Sequence, residues 1–439
     1  MNHDHNDQQA KKIIIIGGGF AGLELARRLN NHPGVDILLL DKLTFHQFQP
    51  LFYQVATASI EATNVSFPLR KVFHNSRNVR IRITEVLAIR ADEKLVETDI
   101  GNFAYDMLVL ATGTKTNFFG NRQIESLAIP MKSTLDALRI MNRLINNFED
   151  ALNKASDQEK THVMSVAIIG AGPTGVELAG ALAEMRKHIV PKDYPELDAA
   201  LMQIYLIDHN PNPLSAMSEA SRKDARKYLE DMNVTLMLGT GVEQFDGKSL
   251  LLDNQERLFV KTVIWAAGVT GNVIGGFPSG VFARGNRLRV DDHHQVQGLA
   301  DVYAIGDISS METKNYPNGH PQLASVAKSQ AEHLAKNIKA QLSGKAMKPY
   351  EFKNRGVMAT IGKRKAVVDL DFPKLHIKGR LAWLIWMSLH LFLILGVKNK
   401  IQVFINWAYK YLTSDQSLRL AQRIKGKSEE LETIKSEKP

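Results

Sequence analysis

Gly17, Gly19 and Gly22 follow the isoleucine run Ile13–Ile16, and Gly170, Gly172 and Gly175 follow the apolar stretch "SVAII". Both triplets have the spacing G-x-G-x-x-G between an apolar strand and a helical pattern. The first glycine of such a loop permits a tight turn, the second removes a side chain where a pyrophosphate approaches, and the third lets helix and strand pack closely. The helix N-terminus that follows offers unpaired N–H groups to an anion. Asp41 ends the next apolar stretch, "VDILLLD", nineteen residues after Gly22, where a carboxylate meets ribose hydroxyls. Asp208 ends "QIYLID", thirty-three residues after Gly175. A carboxylate there accepts bonds from a ribose 2′-OH and repels a 2′-phosphate, which favours NADH over NADPH. The longer spacing predicts that "RKHIVPKDYPELDAAL" extends the intervening helix. Glu177, two residues past Gly175, reads from position alone either as an acid favoured by the helix dipole or as a working carboxyl.

Elements that position these residues alternate strand and helix, which implies parallel sheets with helices on their faces and ligands at the carboxyl ends of the strands. Matching strands "MLVLATG" (Met107–Gly113) and "TVIWAAG" (Thr262–Gly268) close the two units, and Gly268 joins the candidate NADH contacts. Two nucleotide units in one chain fit a flavoenzyme that takes hydride from a nicotinamide, with FAD on one and NADH on the other. The later "DVYAIGD" returns to the FAD unit: an apolar strand 302–305 delivers Gly306 and Asp307, and a helix from about Ala324 aims its N-terminus at the flavin. The expected fold class is α/β, with two Rossmann-like dinucleotide-binding domains, the NADH domain inserted in the FAD domain, and a C-terminal amphipathic helical membrane-binding region. The ranges are 1–10 for a disordered N-terminus, 11–120 and 290–350 for FAD, 160–285 for NADH, 351–425 for the membrane region and 426–439 for a polar tail.

Composition narrows the chemistry. The 439 residues contain no cysteine, which excludes disulfides, thiolate catalysis, iron–sulfur clusters and Cys-based zinc sites; no metal is expected. The net charge is +9, but Lys353–Lys427 holds fifteen Lys or Arg against three acids, so the remainder is mildly acidic. A basic tail on an acidic body points to an anionic surface such as lipid rather than to nucleic acid. The polar start "MNHDHNDQQA" lacks the apolar core of a signal peptide, so none is expected.

The combination resembles the type II NADH dehydrogenases, the single-subunit NADH:quinone oxidoreductases of the FAD-dependent pyridine nucleotide-disulfide oxidoreductase superfamily. It rests on "GGGFAG", "FHQFQPLFYQVATASI", "ATGT", "GAGPTGVELAG", "VIWAAGV", "VYAIGD", "LASVAKSQAEHLAKNI", "MATIGKRKAVVDL" and "AWLIWMSLHLFLILGVKNKIQVFINWAYKY", roughly residues 11 to 425. The resemblance implies FAD on Gly17, Gly19, Gly22, Asp41 and Asp307, with Lys42, Val86 and Ala324 as lesser contacts. It implies NADH on Gly170, Gly172, Gly175, Asp208 and Gly268, and Glu177 as a catalytic acid near nicotinamide and quinone. Beside the quinone, a family pattern like A-Q-x-A-x-Q-Q is here Ala324-Ser325-Val326-Ala327-Lys328-Ser329-Gln330. Ser325 and Gln330 are therefore the implied quinone contacts.

Residues 381–397 form a nearly charge-free run, and the next segment sets Ile401, Phe404, Ile405, Ala408 and Leu412 on one helical face. Trp383, Trp386 and Trp407 are expected at the membrane interface. The run of seventeen is at the lower limit for spanning a bilayer, so a basic amphipathic pair lying on the membrane is the expectation. The predicted activity is hydride transfer from NADH to FAD and reduction of a membrane quinone, ubiquinone or menaquinone, to quinol, without proton pumping. The expected setting is peripheral, on the cytoplasmic face of the membrane, as a homodimer with no nucleic-acid partner. The alternative is a ferredoxin-reductase-like NAD(P)H reductase of another acceptor, which has no need of the basic apolar tail.

Overall fold

Ile13 to Ile16 are each at most 5 % exposed, and Val166 to Ile169 likewise; both runs are central strands buried on two faces, as unbroken apolar sequences rich in β-branched residues favour. The computed structural model describes residues 10–415. Residues 1–9 of the expected loose start (1–10), the polar tail (426–439) and residues 416–425 lie outside the described residues.

The chain divides into two units. One holds the chain up to Gln47, Ser66–Asn117 and Val269–Asn354; the other holds Phe48–Val65, Phe118–Gly268 and the chain from Arg355. In the first, a five-stranded parallel sheet runs Val302–Ala304, Met107–Leu110, Lys11–Ile16, Val35–Asp41, Val79–Ile83. In the second the order is Ile129–Pro130, Thr262–Trp265, Val166–Ile169, Ile204–Asp208, Thr235–Leu238, again parallel. The two sheets repeat one topology, each with its glycine loop leaving the middle strand.

Two segments depart from the expected ranges. Phe48–Val65 folds with the second unit because its short helix, Phe52–Ala56, packs on helices Thr134–Leu152 and Pro173–His188. Val269–Gly271 joins the first unit by antiparallel pairing with Thr114–Thr116. The expected extension of the helix after Gly175 does not occur. It stops at His188, and short turns of helix follow at Val190–Asp193 and Ala199–Leu201. Pro191 sits in the first turn of the former, where a missing N–H costs nothing, and there begins a new element.

Beyond Arg355, a three-stranded antiparallel sheet (Val357–Thr360, Ala366–Asp371, Lys374–Lys378) leads into helices Gly379–Leu393 and Val397–Thr413. The apolar run expected as one block is interrupted at Gly396, whose φ of +79° favours glycine. Among the described residues no helix is long and apolar enough to cross a membrane. Leu381, Leu384, Phe392, Val397, Ile401, Phe404, Ile405 and Leu412 are all more than half exposed. Trp386 and Trp407 are instead 2 % and 7 % exposed, a correction to the interfacial tryptophans expected from sequence. Helical spacing sets Trp386 with buried Ala382 and His390, and Trp407 with buried Val403, on the inward faces.

Candidate functional site

The two glycine loops are near copies in three dimensions. Gly17 N–H donates to Leu40 O and Gly170 N–H to Ile207 O, each at 2.8 Å. Their φ angles are +105° and +107°. A side chain at Gly22 would strike Gly17 O at 1.9 Å and one at Gly175 would strike Gly170 O at 1.8 Å, so helix and loop close only over glycine. At Gly19 and Gly172 an added Cβ meets nothing within 4 Å. The open space lies where a pyrophosphate must approach, so both cradles fit a dinucleotide.

The acids that end the neighbouring strands complete each loop. Asp41 accepts from the amides of Gly18 and Leu43, the latter at 2.7 Å. Asp208 accepts from Ala171 N–H at 2.6 Å and from the Asn210 amide and side chain at 2.7 and 2.8 Å. Each carboxylate thus fixes the middle residue of its own loop. Burial holds the Asp41 carboxyl above its usual range, against the downward pull of the Leu43 and Gly18 amides.

In the first unit, Gly306 (φ +76°) and Asp307 follow the strand Val302–Ala304, and a helix begins at Ala324 without a side-chain cap, leaving its first N–H groups available. Asp307 accepts from Thr114 Oγ1 at 3.4 Å. Val86 is half-buried at the head of its strand, and Lys42 pairs with Glu85 in solvent. Ser325 is exposed. Gln330 is 1 % exposed, and its Oε1 accepts from Gly306 N–H at 2.7 Å and Ser309 Oγ at 3.2 Å. The amide oxygen is thus engaged inside the fold, holding the Gly306 turn to the helix.

In the second unit Glu177 is 8 % exposed in the first turns of helix Pro173–His188. Its Oε1 accepts a long bond, 3.4 Å, from the Thr360 amide. Burial pushes the carboxyl up to about 8; the Thr360 amide and the nearby Trp386 indole pull partly back. The Trp386 N–H lies close enough to exert that pull but completes no well-formed hydrogen bond. At neutral pH Glu177 therefore keeps its proton. The same helix closes on the C-terminal segment at Gly180, where a Cβ would meet Ile361 C at 2.9 Å. Two turns beyond Glu177, Glu184 accepts from Lys363 N–H and pairs with Lys410 Nζ at 3.2 Å.

These contacts frame a pocket lined by Tyr53, Gln54, Glu184, Thr360, Trp383, Trp386, Trp407, Lys410 and Tyr411 among others. Gln54 Nε2 donates to Tyr53 Oη at 2.8 Å, which leaves the phenol O–H to donate elsewhere. Burial, then the neighbouring Glu177, raises the Tyr53 pKa well above its ordinary value, so the phenol stays protonated. Glu177 stands behind the lining residues Thr360 and Trp386, and sequence reading missed the polar residues that line the pocket itself. Glu184 had a signal, since it stands seven residues from Glu177 on one helical face. Tyr53 and Gln54 stood inside a block noted only as a signature.

Comparison with known proteins agrees with this organisation. The family model described as pyridine nucleotide-disulphide oxidoreductase matches residues 11–331, and the NDH2 C-terminal domain model matches residues 354–415. A type II NADH:quinone oxidoreductase of Mycobacterium tuberculosis is 31 % identical over 422 residues, covering 92 % of this chain and 88 % of that one. One of Staphylococcus saprophyticus is 26 % identical, covering 82 % and 90 %. A solved structure of NDH2 from Plasmodium falciparum in complex with NADH superposes with a TM-score of 0.86 at 20 % identity, covering 93 % of this chain and all of that one.

Proposed function

The chain belongs to the type II NADH:quinone oxidoreductases, and from that premise we propose how its residues divide the work. The protein oxidises NADH and reduces quinone to quinol, with FAD as its cofactor. FAD lies along Gly17, Gly19 and Gly22, with Asp41 on its ribose and Asp307, Lys42, Val86 and the helix start at Ala324 beside it. NADH lies along Gly170, Gly172, Gly175 and Gly268, with Asp208 on the adenosine ribose. The observation that carries the reading is the pair of open glycine cradles, each completed by a carboxylate bonded to its own loop.

Bound FAD supplies the two-electron step between nicotinamide and quinone. The chain supplies position and protons. Asp208 excludes a 2′-phosphate by charge and so selects NADH. Glu177, protonated at neutral pH, holds a proton behind the pocket wall, against the lining residues Thr360 and Trp386, from where it would serve a quinone oxygen gaining electrons. The tryptophan-lined pocket suits a flat lipophilic head group. Ser325 and Gln330 are the quinone contacts, and Gln330 also holds the Gly306 turn.

The more than half-exposed apolar faces of the two C-terminal helices, with Lys398 and Lys400 beside them, support docking on an anionic bilayer surface, where the quinone resides. Cytoplasmic-face placement and homodimerisation complete the proposal, the latter to be read by light scattering of the detergent-solubilised protein. No ion translocation is proposed; proteoliposomes that built a pH gradient on NADH addition would overturn that. The central test is anaerobic bleaching of the flavin by NADH, followed by recolouring with ubiquinone or menaquinone analogues. A flavin that NADH fails to bleach would remove the reading.

A further inference from the structure

The strands that close the two units end alike, in Ala111-Thr112-Gly113 and Ala266-Ala267-Gly268. Their glycines have φ +65° and +71°. Their surroundings differ. At Gly113 an added Cβ would meet nothing within 4 Å. At Gly268 it would meet the ring of Phe119, with Cζ at 2.6 Å, Cε2 at 3.2 Å and Cε1 at 3.5 Å. One strand end is open and the other carries an aromatic cover.

Phe119 is held there at a conformational cost. Its φ is +52°, and Gly120 follows at +81°. A left-handed phenylalanine is strained and persists where its surroundings or its role require it. Phe119 is 68 % exposed, and its ring lies tilted at a centroid distance of 6.4 Å from Trp265. Phe118, the neighbouring ring, packs closer on Trp265, at 5.5 Å. The covered strand end also adjoins the second glycine loop, because a Cβ at Gly170 would meet Ala266 C and Ala267 N, both at 2.8 Å. An exposed apolar ring therefore stands on the peptide that borders the nucleotide cradle.

We propose that Phe119 is a positioning residue for the pyridine nucleotide: its ring forms an apolar platform over Gly268 against which the nicotinamide-ribose end of NADH packs. The proposal rests on the assignment of NADH to the second loop. Stacking on a phenyl face suits the flat nicotinamide in either redox state and makes no demand on hydrogen bonding. It also accounts for the difference between the twins. A resident cofactor is held throughout by its own cradle, whereas a substrate that enters and leaves each turnover gains from a ring that guides its reactive end.

The test is titration of the holoenzyme with NAD⁺ by calorimetry, together with steady-state kinetics, for Phe119→Ala and Phe119→Tyr. Phe119→Ala is expected to weaken NAD⁺ binding and raise the KM for NADH by about tenfold, with FAD content and the KM for quinone unchanged. Phe119→Tyr, which keeps the ring, is expected to stay within about twofold of wild type. Wild-type NAD⁺ affinity in Phe119→Ala overturns the proposal, as does equal weakening in both variants. Loss of FAD or a lowered Tm in Phe119→Ala would mark the ring as structural and equally overturns it; Phe119→Leu, which restores apolar volume without a face, then separates bulk from stacking. A wild-type flavin that NADH cannot bleach would sink the assignment of NADH itself, whereas a bleachable wild type beside an unaffected Phe119→Ala sinks only the ring.

Discussion

Trp407 donates its indole N–H to Gln54 Oε1 at 2.7 Å, and both residues are more than nine-tenths buried. The bond joins the last described helix to a short helix some 350 residues earlier, and through Gln54 it orients Tyr53. Trp407→Phe keeps most of the ring but strands the Gln54 carbonyl. A loss of roughly 1–3 kcal/mol is expected, read as a lower Tm or denaturant midpoint. Trp407→Ala adds a cavity and should cost about 3–5 kcal/mol. Equal stability of Trp407→Phe and wild type would show that this bond does not hold the C-terminal helix in place.

Glu177→Gln tests the buried proton. A carboxyl raised to about 8 in the fold, from 4.5 outside it, favours the folded state fully below about 4.5, and this support is lost as pH rises toward 8. Glutamine cannot ionise, so the variant should gain Tm relative to wild type between pH 6 and 9, by an amount growing with pH. Its quinone turnover should fall by about 10²-fold, with the NADH half-reaction less affected. A pH-independent difference in Tm would contradict the raised pKa.

Acid should act in the opposite sense through buried histidines. His46, beneath Phe20 and bonded to Gly18 O at 3.0 Å, and His390, stacked on Trp386 at 4.0 Å, are both lowered to about 4, chiefly by burial. Their neutral forms are native, so stability falls as pH drops from 6.5 toward 4, by up to about 1.4 kcal/mol per pH unit for each group. Replacing His390 with Leu should flatten that part of a Tm-against-pH curve. An unaltered slope would assign the acid sensitivity elsewhere, with His294 and its neighbour His333 the next groups to examine.

Asp208→Ala removes an acceptor that also fixes Ala171. The KM for NADH should rise about tenfold or more while FAD content is kept, and discrimination against NADPH should shrink. An unchanged NADH affinity would refute the assigned ribose contact.

Much of this was legible in local sequence. Glycine spacing, strand composition and the terminal Asp41 and Asp208 are patterns within about thirty residues, and the structure builds both loops as those patterns imply. The start of the helix at Ala324 was equally readable. What could not be read depends on long-range packing. The setting of Glu177 is made by Thr360, 183 positions later, and by Trp386. Gln330 is expected at the quinone from the family pattern, but that pattern does not show the bond of its side chain to Gly306, twenty-four positions earlier. Tryptophans 386 and 407 suggested an interface by composition, yet helical phase points them into a pocket and leaves leucine and phenylalanine outside. Residue type proposed the chemistry, and only the direction of each side chain decided among the roles.

The break at Gly396 sets a limit on depth. Its first helix has fifteen residues, about 22 Å of rise, against roughly 30 Å of hydrocarbon. For the proposed surface docking, the reach into lipid is then governed by the width of a helix lying flat rather than by its length. Turnover in vesicles should accordingly vary little with acyl-chain length and strongly with head-group charge, so that the same protein works in thick and thin bilayers alike.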